Sequence, residues 1–133
     1  MAAKRIVIHS LEIDDKPGSL YKFLSDAAHA NVDMLCLTAF STGFGRGRVC
    51  VSAKDPDALK RFAGESGIDV TTEAGFIVSG EDKVGAAAEA LKALAESGIN
   101  GVASAAMVCD GHYQMLVVVA AGETDAAARA IGV

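Results

Sequence analysis

The sequence predicts an α+β fold made of two ferredoxin-like β-α-β-β-α-β units, each an antiparallel sheet with helices on one face. Three observations carry that prediction. The stretch DDKPGSL at residues 14–20 returns as EDKVGAA at 81–87, so two acids, Lys and Gly recur in the same order. Each copy opens with a strand-like run that passes directly into apolar residues at helical spacing. Each helix-like run stops at a residue type that tolerates left-handed backbone, Asn31 in one copy and Gly98 in the other.

The repeat is read at an offset of 67 residues, Asp15 meeting Asp82 (82 − 15 = 67). Lys16 then meets Lys83, Gly18 meets Gly85, Leu24 meets Leu91 and Ala28 meets Ala95. Further on, Val51 meets Val118 and Ala53 meets Ala120, with no gap needed from residue 13 to residue 53. Identity alone is modest in so Ala-rich a chain. The shared periodicity and punctuation are the stronger evidence for duplication.

Taken in order, RIVIHSLEI at 5–13 and GFIVSG at 75–80 read as first strands. Leu20, Phe23, Leu24, Ala27 and Ala28 mark the first helix of one copy, and Ala87, Ala90, Leu91, Leu94 and Ala95 that of the other. The second strands run through VDMLCLTAF and INGVASAAMV, the Gly-rich turns through STGFGRG and CDGHYQ, and the third strands through RVCVSA and MLVVVA. The second helices begin near Asp55-Pro56, where Pro suits a first turn, and near Thr124-Asp125. IDVT at 68–71 is expected to supply a fourth strand to the first copy, whereas the second copy ends at Val133 without one of its own. The boundary falls near residue 71, giving domains 1–71 and 72–133. With almost no linker and small sheets to cover, the two copies are expected to pack together.

Composition narrows the function. The 133 residues carry 12 basic and 17 acidic side chains, a net charge of −5, which argues against a general polyanion binder and leaves no polybasic membrane patch. No nucleic-acid or membrane partner is therefore expected. The N-terminal MAAKRIVIHSLEIDD is too broken in hydrophobicity for a signal peptide, and MLVVVAA at 115–121 is far short of a membrane span. Three cysteines, Cys36, Cys50 and Cys109, are an odd number without framework spacing and read as reduced thiols of a cytoplasmic protein.

The repeated junction has a chemistry of its own. A helix that starts straight from a strand exposes backbone N–H groups, and its dipole adds positive partial charge there. Such a terminus suits a carboxylate. Gly18 and Gly85 admit close approach to the backbone, and Pro17 stiffens the turn. Asp15 or Asp82 could hold an ammonium, and Asp33 or Asn100, at the start of the next strand, is expected to reach the same end of the sheet. Together these groups describe a zwitterionic amino acid. The plainer reading is that the Asp residues cap helices and the Gly residues serve only the turn.

The stretch IDDKPGSLYKFLSDAAHANVDM, with its acid, basic residue, Pro-Gly, helix and Val-Asp start to the next strand, resembles the ACT family of amino-acid-binding regulatory domains. The likeness covers nearly the whole chain and is closest to stand-alone tandem ACT proteins without an attached enzyme. It implies a ligand at a domain interface, held by the strand-helix loop and the start of the second strand. Carried over by position, the site comprises Asp15, Lys16, Pro17, Gly18, Ser19 and Leu20 with Asp33 and Met34, and Asp82, Lys83 and Gly85 with Asn100. The chain departs from the family pattern where Asn is common at the positions of Asp15 and Asp33, and where Val84 replaces Pro. The first site is thus the stronger one. No catalysis, cofactor or metal is implied; an amino-acid ligand is. A homodimer or larger assembly is expected on separate grounds, since small ferredoxin-like sheets leave apolar surface that the helices cannot cover.

Three rivals stand beside this reading. A pure interaction or oligomerisation module would use exposed sheet edges. An RNA-binding module shares the topology, and GFGRGRVCV at 43–51 faintly resembles its central strand, but Arg46 stands where a stacking ring is wanted. An enzyme or metal site would rest on Cys109 and His112, two ligands where zinc takes three or four, or on His9 and His29, which read as sheet-face and helix-end residues.

Overall fold

The computed structural model describes residues Met1–Val133. The elements are β1 (Ala2–Asp14), α1 (Ser19–His29), β2 (Met34–Gly43), β3 (Arg46–Ala53), α2 (Pro56–Glu65), β4 (Thr71–Glu81), α3 (Ala86–Glu96), β5 (Gly101–Cys109), β6 (His112–Val119), a 3₁₀ turn (Ala121–Glu123) and α4 (Thr124–Ile131). The order β-α-β-β-α is written twice. The two compact units are Val7–Thr72 and Met1–Ile6 with Glu73–Val133, so β1 is divided between them.

In the first unit β3 pairs antiparallel with both β1 and β2. Inward residues alternate along the strands, as the pleat requires. Leu11, Val49, Val51 and Ala53 meet Phe23 and Ala27 of α1 and Leu59 and Phe62 of α2. Both helices therefore cover one face. The Phe23 and Phe62 rings, 6.1 Å apart and tilted, tie the two helices together. In the second unit β6 pairs antiparallel with β4 and β5. Phe76, Val78, Met115, Val117 and Val119 pack against Ala90 and Leu94 of α3 and Ala127 and Ala128 of α4.

Helix ends follow their sequence signals. Asp55 caps α2 through its side chain, which accepts the Asp57 amide at 3.1 Å. Asn31 and Gly98 adopt left-handed φ of 61° and 69°. The Val32 and Ile99 amides then reach back to Ala27 and Leu94 carbonyls at 3.0 and 2.9 Å, with both side chains buried.

Two expectations need correction. Residues 68–70 are not strand: Ile68 and Val70 pack on the core of the first unit, and the strand begins at Thr71. The strand the second copy lacks comes from the start of the chain, where Ala3 packs on that unit's core and Arg5 pairs with Asp125 at 3.1 Å. Nor is the repeat gap-free. Gly45 and Gly111 accept equivalent bonds from Asp15 and Asp82, at an offset of 66 (111 − 45 = 66). Val51 thus corresponds to Val117, and Ala53 to Val119, all four on helix-covered faces. The second hairpin is one residue shorter.

His9, on β1, is 1% exposed and neither ring nitrogen has a hydrogen-bond partner. Burial holds its imidazole below the ordinary value of 6.5, with the Lys60 charge adding to the effect. The unfolded chain gains a proton at His9 below about pH 6.5 while the folded chain resists it. Stability is thus unaffected by this group above 6.5 and declines as pH falls through the lowered folded value. We expect the urea midpoint to drop more between about pH 7 and about pH 5 in wild type than in His9→Leu. Parallel pH profiles for the two proteins would rule this out.

Candidate functional site

The site begins with the four residues that join β1 to α1, Asp15 to Gly18. The Asp15 amide donates to the Gly45 carbonyl of the β2–β3 turn at 2.9 Å. The Ser19 amide donates to the Lys16 carbonyl at 3.2 Å, closing a tight turn through Pro17 and Gly18. Gly18 holds φ 89° and ψ −12°, where a side chain is strained, and no side chain caps the helix. The Asp15 carboxylate is not a cap. It accepts a 2.6 Å bond from the Ser41 hydroxyl at the far end of β2.

Beside this loop lies a hollow of about 230 Å³. Asp14, Asp15, Lys16, Ser19 and Leu20 form its loop side, and Ala39, Phe40, Ser41, Gly47, Arg48 and Ile13 its sheet side. Ile13, Gly47 and Ser41 are cross-strand partners in one row. Gly47 leaves that row without a side chain at its centre. The rim is charged: Arg46 pairs with Asp14 at 2.6 Å and Glu12 at 3.3 Å, and Lys16 reaches Asp14 at 3.8 Å. The sequence reading missed Ile13, Ala39, Phe40, Ser41 and Gly47, because their convergence depends on the register of three strands.

Asp33 and Met34 lie elsewhere. β2 runs antiparallel to β3 and hence in the same direction as β1, so it starts at the opposite end from the loop. The eleven residues of α1 separate the two ends by about 16 Å. Asp33 pairs instead with Lys54 at 2.7 Å, and Met34 packs on the core. Within one unit, Asp15 and Asp33 therefore cannot hold the same ammonium, contrary to the expectation from sequence. Ser19 is corrected too: its amide is engaged by Lys16, and the first-turn amides without helical partners are those of Leu20 and Tyr21.

The second copy repeats the backbone. The Asp82 amide donates to the Gly111 carbonyl at 2.9 Å, the Ala86 amide to Lys83 at 3.1 Å, and Gly85 holds φ 86° and ψ 2°. Lys83 pairs with Glu89 at 3.3 Å, and Asn100 is exposed just before β5, at the end remote from Asp82.

The remaining reactive groups do not converge. Burial raises the Cys36 thiol above its ordinary value, outweighing a backbone hydrogen bond with Ser52, and Cys50 is buried. Cys109 and His112 are exposed at the second hairpin, where His112 Nδ1 contacts the Asp110 carbonyl at 3.0 Å. No group of three or more His, Cys, Asp or Glu residues gathers to hold a metal.

The ACT domain pair family matches residues 4–132, which is nearly the whole chain. The chain belongs to this family. Its ACT units are also similar in fold to solved structures. One is a Bacteroides thetaiotaomicron protein, with TM-score 0.77, 16% identity, and 96% of this chain and 88% of that one covered. The ligand-free regulatory subunit of aspartate kinase from Thermus thermophilus gives TM-score 0.66 at 20% identity, covering 98% and 93%. The same subunit from Thermus flavus gives 0.65 at 21%, covering 98% and 94%. No curated protein sequence matches the chain.

The two ACT junctions share one backbone geometry, and a Cβ at Gly18 or Gly85 would meet nothing within 4 Å. Substitution there costs backbone strain alone. We expect Gly18→Ala and Gly85→Ala each to lower stability by about 1–2 kcal/mol, with closely similar values. A urea titration in which either variant matched wild type would contradict the strained-turn account.

Proposed function

We propose that this ACT domain pair is a non-catalytic regulatory module that binds a small amino acid at the loop joining β1 to α1. The observation that carries the reading is the hollow beside an uncapped helix start. Its volume of about 230 Å³ lies below the roughly 300–1,000 Å³ of sites for drug-sized ligands. In this reading the Leu20 and Tyr21 amides take the ligand carboxylate, aided by the helix dipole and the Lys16 ammonium. Asp15, held by Ser41, takes the ligand ammonium. The regulated enzyme would be reached through the same module. A cytoplasmic setting fits the three free cysteines, and no helix is long and apolar enough to cross a membrane.

The ligand's amino group meets a carboxylate, and a charge-assisted bond is worth about 1.5–3 kcal/mol. A thermal-shift screen of the amino acids should give a hit, since binding to the folded state raises its melting point. Calorimetry should then show Asp15→Asn binding that hit roughly tenfold to a hundredfold more weakly. Equal affinity in a folded variant removes Asp15 from the site.

The site is completed, in this reading, by a second copy of the chain. Asp33 and Met34, remote from their own loop, would face the loop of a partner, and Asn100 likewise. The edge strands suit such pairing. β2 and β5 contain no charged residue, and Leu35, Phe40, Val102, Met107 and Val108 are exposed on them. Natural edges that stay unpaired are usually guarded by charge. We expect a dimer by sedimentation at micromolar concentration and a shift to monomer in Ala105→Lys; monomer in wild type defeats the two-chain site. A dimer that binds no amino acid would favour a pure interaction module. The RNA-binding reading loses support, because β1 and β3 carry no Phe, Tyr or Trp, and His9 on β1, Phe76 on β4 and Tyr113 on β6 are buried.

A further inference from the structure

The two copies differ at one place that matters for the hollow. In the first, Ile13 pairs with Gly47 across β1 and β3. In the second, the corresponding pair is Gly80 and Tyr113 across β4 and β6. The large and the absent side chain have exchanged strands. A Cβ on Gly80 would meet Tyr113 Cε1 at 3.0 Å, so the ring lies directly over the glycine. Tyr113 is 7% exposed and belongs to the core of its unit. At the next position of the row, Ser41 is replaced by Val108, which removes the hydroxyl that holds the loop carboxylate in the first copy.

We propose that the Tyr113 ring occupies, in the second copy, the place a ligand occupies beside Gly47 in the first, so that each chain holds one ligand. This rests on reading the first hollow as the amino-acid site. The backbone argument supports it from the other side. Both junctions keep the same turn, the same glycine and the same bond to the hairpin. What separates them is the row beneath. In the second copy a phenol ring leans over Gly80; in the first, a Cβ added at Gly47 would meet the Phe40 carbonyl at 3.3 Å and Ile13 Cγ1 at 3.7 Å, and the hollow opens beside that row. Tyr113 is thus a built-in occupant that silences a duplicated site while preserving its packing.

Tyr113→Gly should leave a ring-sized void that p-cresol, the tyrosine side chain as a free molecule, refills. Apolar voids of this kind take up small aromatic molecules. We expect millimolar p-cresol to raise the melting temperature of Tyr113→Gly and to leave wild type unmoved. A folded Tyr113→Gly indifferent to p-cresol overturns the proposal. Should that variant fail to fold, the reciprocal exchange decides. Ile13→Gly combined with Gly47→Tyr transplants the second copy's pair into the first. Removing Ile13 Cγ1 frees one side of a Gly47 Cβ and the Phe40 carbonyl at 3.3 Å must yield slightly, so the double variant should melt cooperatively, though below wild type; loss of cooperative melting overturns the equivalence. Calorimetry with an amino acid that binds wild type should count one molecule per chain, two in Tyr113→Gly and none in the double variant. Two per wild-type chain, or binding that survives in the double variant, overturns this inference alone. If no amino acid binds wild type, the proposed function falls and this inference falls with it.

Discussion

The bond from the Asp15 amide to the Gly45 carbonyl, 2.9 Å long, sets the geometry around which the first unit is arranged. It fastens the end of β1 to the β2–β3 turn, so the chain must reverse into α1 within four residues. That reversal needs a left-handed residue, which Gly18 supplies at φ 89°. Once the turn is made, α1 lies on one sheet face with Phe23 and Ala27 inward, and its first amides point beside the loop. The same bond, from Asp82 to Gly111, does the same in the second unit. Fold and candidate site thus share one cause. The turn that lets a strand become a helix also leaves unpaired donors next to a carboxylate.

Much of this was legible because punctuation is local. Asn31 and Gly98 stop helices by backbone preference, and Asp55-Pro56 starts one by capping and fixed φ, so neighbours alone reveal them. Register was not legible. MLVVV at 115–119 is apolar on both faces, so a one-residue slip leaves the hydrophobic pattern unchanged and hid the shorter hairpin. The fourth strand failed for a related reason. Ile68 and Val70 alternate as a strand would, yet they serve as core residues in a connection, while the real strand starts at Thr71. Asp33 was misplaced on its own side of the sheet because sequence proximity to α1 says nothing about which end of the unit a strand starts from.

The rim charges of the first hollow contribute little to stability. Glu12, Asp14, Lys16 and Arg46 all pair, but their side chains are 43–71% exposed. Exposed pairs contribute about 0–1 kcal/mol, since water competes for each partner. Stability of the unit rests instead on the apolar layer formed by Leu11, Val49, Val51, Phe23 and Phe62. The charged rim can therefore change partners at little cost to the fold.

The same division separates what the two copies share from where they differ. The layer that holds a unit together is the inward row of its strands, and both copies keep it apolar. The row at the junction is different, because it borders both the core and the solvent. There Ile13 with Gly47 and Gly80 with Tyr113 each bring one large and one absent side chain, so both arrangements satisfy the sheet. They differ in where the bulk stands. Ile13 on β1 borders the hollow beside Ser41, whereas Tyr113 on β6 leans its ring over Gly80 and its neighbour Val108 carries no hydroxyl. A change confined to one cross-strand row can thus move bulk beside the loop without disturbing the turn, because the turn is fixed by backbone bonds and the row by side-chain volume.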